Sequence, residues 1–186
     1  LGAEAIIALL GLAAAATSVV MVPGIRGVLG AGLALLMLAI AVIDARRFII
    51  PNRLNAAAFA LALVDAALAE PQAISEAIVF ACMRGALLAL LFLGLRILYA
   101  RLRDREGIGL GDVKLAAVAG AWLGWLMIPI AVEIAAFVAL SIYLLRNLVR
   151  KRPLRTTGLL PFGLFLAPAI WLCWLLQTTL LTPFWL

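Results

Sequence analysis

A chain of 186 residues that is 67% hydrophobic and only 13% charged, with a mean hydropathy of +1.22, cannot hide that much apolar surface in one soluble core. Its net charge is +6, from 15 basic and 9 acidic residues. There is no histidine, which excludes Ser-His-Asp and Cys-His triads, His-ligated zinc and the HExxH helix, and leaves carboxylate chemistry as the main route to hydrolysis.

The apolar runs approach the roughly 20 residues that a helix needs to cross a bilayer, and they lack the alternation of barrel strands. The expected fold class is all-α: a polytopic transmembrane helix bundle of six to seven spans, forming one membrane domain over residues 1–186. Spans are expected near 3–22, 28–43, 53–69, 77–99, 112–127, 129–149 and 160–182. The short third span and the split at Pro129 leave the count of six open. The first run, Ala3 to Val22, has no basic stretch before it and reads as a retained span. Cys82 and Cys173 both sit in apolar runs, which supports neither a disulfide framework nor a Cys-x-x-Cys metal site. A Ser-Lys dyad would have to recruit Lys114 or Lys151, the only two lysines.

Twelve of the fifteen basic residues fall in three segments: Arg46, Arg47 and Arg53; Arg101, Arg103, Arg105 and Lys114; and Arg146, Arg150, Lys151, Arg152 and Arg155. By the positive-inside rule those segments are cytoplasmic, and the intervening connections, whose only basic residue is Arg26, lie outside. Topology and anionic lipid account for the basic charge, so no nucleic-acid partner is expected. Asp65, Arg84 and Glu133 fall in the outer parts of their spans and are expected to form a structural acid–base cluster, while Arg96 snorkels to the cytoplasmic edge.

Two aspartates, 68 positions apart, end up on the cytoplasmic side of this topology. Asp44 ends the second span and is followed by Ile50-Pro51-Asn52; the proline must stop or restart a helix, and Asn52 is a candidate N-cap for the third span. Asp112 opens the fifth span after Gly107-Ile108-Gly109-Leu110-Gly111. Each has a plain alternative reading, Asp44 as a solvated end beside two arginines and Asp112 as an N-cap. The three alternate glycines, however, suit positive φ or the close approach of another chain, which a cap does not need. Lys114 in the first turn opposes the helix dipole and calls for snorkelling or a local partner. The Gly-x-Gly-x-Gly-Asp order does not match a nucleotide loop. Two carboxylates brought together would share one proton and activate water as base and acid without metal or histidine. The helix N-terminus points to Asp112 as the ionised member and Asp44 as the protonated one.

Asp44 with Ile50-Pro51-Asn52, then Gly109-Leu110-Gly111-Asp112-Val113-Lys114, then Leu160-Pro161-Phe162-Gly163 form three segments in an order that resembles the bacterial prepilin peptidases, membrane aspartic peptidases of the G-x-G-D type. The resemblance implies a multi-pass enzyme of the bacterial inner membrane that clips the short basic leader from prepilins or pilin-like subunits at the cytoplasmic face. Asp44 and Asp112 would be its catalytic pair. Pro51, Asn52, Gly109, Gly111, Lys114, Pro161, Phe162 and Gly163 would bind substrate or shape the site. No cofactor and no metal are implied. Bifunctional members carry a cysteine-rich cytoplasmic segment and also methylate the trimmed pilin. This sequence has no such segment and looks like the compact, peptidase-only form of Flp (tight-adherence) pilus systems. The Pro-Ala-Leu motif of presenilin and signal peptide peptidase is missing. The alternative is a non-enzymatic transporter or pilus-assembly scaffold in which the two aspartates cap helices and relay protons.

Overall fold

The computed structural model describes residues 2–103, 107–150 and 161–181. Among them there are seven α-helices and no strand: α1 Ala3–Met21, α2 Ile25–Arg47, α3 Asn52–Ala69, α4 Ile74–Arg103, α5 Leu110–Trp122, α6 Met127–Arg150 and α7 Gly163–Leu176. A five-residue π turn, Gln177–Leu181, extends α7. Six of the seven are long and apolar enough to cross a membrane. The fifth is not. Its 13 residues rise about 20 Å, short of a hydrocarbon core of roughly 30 Å. The apolar run expected at 112–127 is broken where Leu123 turns to extended backbone and Gly124 donates its N–H to Gln177 Oε1 at 2.7 Å. The sixth helix then starts at Met127, with Pro129 tolerated in its first turn.

Many small side chains are buried between the helices, and many large apolar ones are exposed, unlike in a soluble protein. Ala34, Ala41, Ala58, Ala62, Ala116, Ala131 and Ala135 are buried, whereas Leu9, Leu12, Val20, Leu90, Leu91 and Phe137 are exposed. A bilayer removes the penalty for exposed apolar side chains, and helices then associate through close backbone approach. The most extensive helix contact, α4 on α5, shows this directly. A Cβ on Gly120 would sit 2.5 Å from Arg84 O, and one on Gly85 would sit 2.8 Å from Ala117 O.

The short α5 is the most enclosed element, buried at eight of its thirteen positions. It packs on α3, α4 and α7. Trp122 donates Nε1–H to Ala58 O at 2.9 Å and meets Trp174 edge-on, with ring centroids 5.9 Å apart. The start of α5 therefore sits at the same end of the bundle as the start of α3, the start of α7 and the end of α2.

The expected cluster of Asp65, Arg84 and Glu133 does not form. Asp65 on α3 instead takes two bonds from Arg26, Nε at 3.0 Å and Nη2 at 3.2 Å, because the first turn of α2 lies at the depth of the last turns of α3. Trp174 Nε1 adds a third contact at 3.5 Å. Arg84 gives its Nε–H to Gly120 O at 3.2 Å, and Glu133 lies exposed on α6.

Candidate active site

The second helix ends three residues after Asp44, at Arg47. Phe48 adopts left-handed backbone (φ 54°, ψ 34°) and donates its N–H to Asp44 O at 2.9 Å, closing the last turn. The chain then runs extended through Ile49 and Ile50 to Pro51, the residue before α3. This corner turns Ile50 inward. It is buried, and its side chain fills the space that side chains at Gly111 and Gly163 would need, 3.0 Å from a Cβ on the former and 2.6 Å from one on the latter. Ile50 thus lies between the two chain segments that approach the aspartates. The sequence motif contained it, but nothing in its type distinguished it from any other apolar residue.

Asp44 is 5% exposed and accepts the Leu164 N–H on Oδ2 at 2.9 Å. The Gly163 N–H lies close enough to Asp44 and Asp112 to act on both carboxyls. The two carboxyls, from helices α2 and α5, are thus neighbours at the start of α7. Gly163 must be glycine for this: a Cβ there would lie 2.9 Å from Asp44 Oδ2. Phe162, the N-cap of α7, packs its ring on Phe92, with centroids 6.3 Å apart, and its carbonyl accepts from Leu166 at 2.9 Å. Pro161 directly precedes this turn and is half-buried, while Leu160 lies outside the described residues.

Asp112 is not an N-cap, the plain alternative reading of it. The fifth helix starts one turn earlier, with Gly109 as N-cap, so Asp112 falls at the third helical position and accepts the Gly109 N–H on Oδ2 at 3.2 Å. This is the acidic half of a capping box, with no cap side chain to return the bond. Burial works against the helix terminus here, opposing the ionised state expected of Asp112. Burial pushes its carboxyl up to about 6; the Gly109 N–H opposes the rise, the nearby Asp44 charge adds to it, and the Gly163 N–H opposes it again. Among the described residues no cation contributes. The alternate glycines do not adopt positive φ, which among described glycines is confined to Gly24. Their smallness serves close packing instead, of Gly111 on Ile50 and of Gly107 on the Tyr99 ring.

Asn52 is not the N-cap expected of it but meets Lys114 instead. Pro51 occupies the N-cap position of α3 without a side-chain cap bond, and Asn52 Oδ1 accepts from Lys114 Nζ at 2.7 Å, tying α3 to α5 beside the aspartates. This supplies the local partner expected of the lysine as the alternative to snorkelling. Among the described residues, no group of three or more His, Cys, Asp or Glu could hold a metal.

Residues 31–144 match the type IV leader peptidase family. The chain is 30% identical to a prepilin leader peptidase/N-methyltransferase of Aeromonas hydrophila across 91% of its own length and 55% of that relative's. It is 34% identical to leader peptidase HopD of Escherichia coli, across 68% of the chain and 78% of the relative. A prepilin leader peptidase/N-methyltransferase of Burkholderia pseudomallei is 37% identical, across 73% of the chain and 42% of the relative. The chain thus spans about half the length of the Aeromonas relative. No solved structure matches it significantly. The family match covers α3, α4 and α5 whole and takes in both aspartates, and the chain belongs to the type IV leader peptidase family.

Proposed function

We propose that this chain is a membrane aspartic endopeptidase that removes the short leader from prepilins or pilin-like subunits. The observation that carries the reading is that two carboxyls from α2 and α5, Asp44 and Asp112, meet at the start of α7, where Asp44 accepts the Leu164 N–H and its charge acts on Asp112. Like charges so placed disfavour double ionisation, and the pair holds one proton. Asp112, pushed up to about 6, is the member that holds it, and Asp44 serves as base. Water between them gives a proton to Asp44 as its oxygen bonds to the scissile carbonyl carbon. Asp112 passes its proton to the carbonyl oxygen, giving a neutral gem-diol. The C–N bond then breaks, the nitrogen takes the proton from Asp44, and a diol hydroxyl returns one to Asp112. Both carboxyls regain their starting states, and no metal is required.

The arginines at this end of the bundle, Arg46, Arg47, Arg53, Arg101 and Arg103, support a cytoplasmic active site in the bacterial inner membrane. Two cysteines, one half-buried and one buried in apolar helices, support trimming without methylation. In liposomes, the purified protein should shorten a prepilin by its leader and transfer no methyl group from S-adenosylmethionine. Asp44→Asn and Asp112→Asn should each abolish the trimming while reaching the membrane in normal amount. Trimming retained by either variant would contradict the pair.

A further inference from the structure

A groove of about 480 Å³ runs between α3 and α5, starting at the Asn52–Lys114 contact and continuing along Ala56, Ala60 and Leu63. Its mouth lies at the same end of the bundle as the aspartates, since Lys114 and Asp112 both belong to the first turns of α5. The groove opens sideways toward the bilayer, where Ala56 and Ala60 are exposed. Its wall contains one polar side chain that the fold leaves unsatisfied. Asn55 is 5% exposed, and both its Nδ2 and its Oδ1 are buried without a hydrogen-bond partner. An apolar residue of the same size would suit this position better if packing were its only task.

We infer that this groove docks an extended stretch of substrate backbone, with the Asn55 carboxamide pairing to one of its peptide groups. The inference rests on the peptidase reading and specifies where the substrate lies before the scissile bond reaches Asp44 and Asp112. The chemistry of the occupant follows from Asn55. A carboxamide needs both an acceptor for its N–H and a donor for its oxygen, and a peptide group in an extended chain offers the two together. A lipid tail offers neither. An intact substrate helix has already spent its own amides internally. One water, at roughly 30 Å³, would leave most of the space empty. The small residues along the floor admit a backbone, and the apolar walls suit the side chains of a membrane segment unwound at its cytoplasmic end.

The test uses a synthetic precursor, a basic leader joined to one apolar helix, and the full chain in liposomes. Asn55→Leu should raise KM roughly three- to tenfold with kcat changed by less than about twofold, the signature of one lost binding contact. The same change should raise the melting temperature of the substrate-free protein. Ala60→Phe, at an exposed position that tolerates bulk, should fill the groove and raise KM likewise. A benzophenone side chain at Leu63 should capture the precursor, and one at the exposed Leu90 of α4 should not. Wild-type cleavage with KM unchanged in both variants, or capture of lipid alone at Leu63, would overturn the groove while leaving the peptidase reading intact. Failure of the wild type to cleave any leader-bearing precursor would remove both.

Discussion

Asp44 and Asp65 are equally buried, at 5% and 6% exposure, yet the bundle treats them in opposite ways. Asp65 receives two bonds from the Arg26 guanidinium and a contact from Trp174, so its charge is matched across α2, α3 and α7. The Trp174 ring itself lies against Gly30, where any side chain would collide with it. Asp44 receives backbone amides from the start of α7 and faces a second acid. Backbone donors support a carboxylate without neutralising it, and a second carboxyl makes its proton transferable. Burial alone therefore does not mark a functional acid in this bundle. Among the described residues, what sets Asp44 apart from Asp65 is that no cation compensates its burial.

The contrast can be broken from either side. The largest effect is expected at the active pair: Asp44→Asn or Asp112→Asn should lower the cleavage rate by roughly 10⁴-fold with little change in folded yield. Asp65→Ala should do the reverse. It strands Arg26, costs about 3–5 kcal/mol of stability by breaking a buried pair, and leaves the rate per folded molecule near wild type. Equal loss of activity per folded molecule in both would erase the distinction. Gly163→Ala comes next, because its Cβ must displace Ile50 or Asp44; a shift of the Leu164 and Gly163 amides should cost about 10²-fold in kcat.

The pH dependence should also separate the two sites. Asp112 is pushed up to about 6, so the shared proton is lost as pH rises through that value, and the rate should fall about tenfold per unit above it. The folded state binds this proton more tightly than the unfolded chain. Its contribution to stability is therefore full below about pH 4 and lost as pH rises through about 6. Asp112→Asn should abolish that loss, as followed by thermal unfolding at pH 5 and pH 8, whereas Asp65→Ala should leave the pH profile of cleavage unchanged. The smallest effect is expected at Phe48, a non-glycine residue held at φ 54°. Phe48→Asn should raise stability by about 0.5–1 kcal/mol without altering cleavage.

Hydropathy made the membrane bundle and the positions of most helices legible, because spans of about 20 apolar residues leave few other options. It misjudged α5, since Trp122, Leu123, Trp125 and Leu126 continue the apolar run through a turn that only Gly124 and its bond to Gln177 reveal. The two aspartates were legible through the breakers around them, Pro51 and the alternate glycines. Their partners were not. That Asp65 meets Arg26 rather than Arg84 depends on which helices are neighbours and at what depth, which a hydropathy profile does not contain. The same holds for Asn52 with Lys114, and for the unsatisfied Asn55, whose type is unremarkable until its surroundings are known.

The central claim is that Asp44 and Asp112 act as one unit around a shared proton, and a double-mutant cycle on the cleavage rate tests it most directly. Asp44→Asn, Asp112→Asn and the double variant are each assayed with a prepilin in liposomes, at matched amounts of folded protein. All three should fall to the same residual rate, because either change alone removes the shared proton and with it the activated water. A double variant much slower than both singles, or a single variant that still cleaves at a rate near wild type, would contradict it.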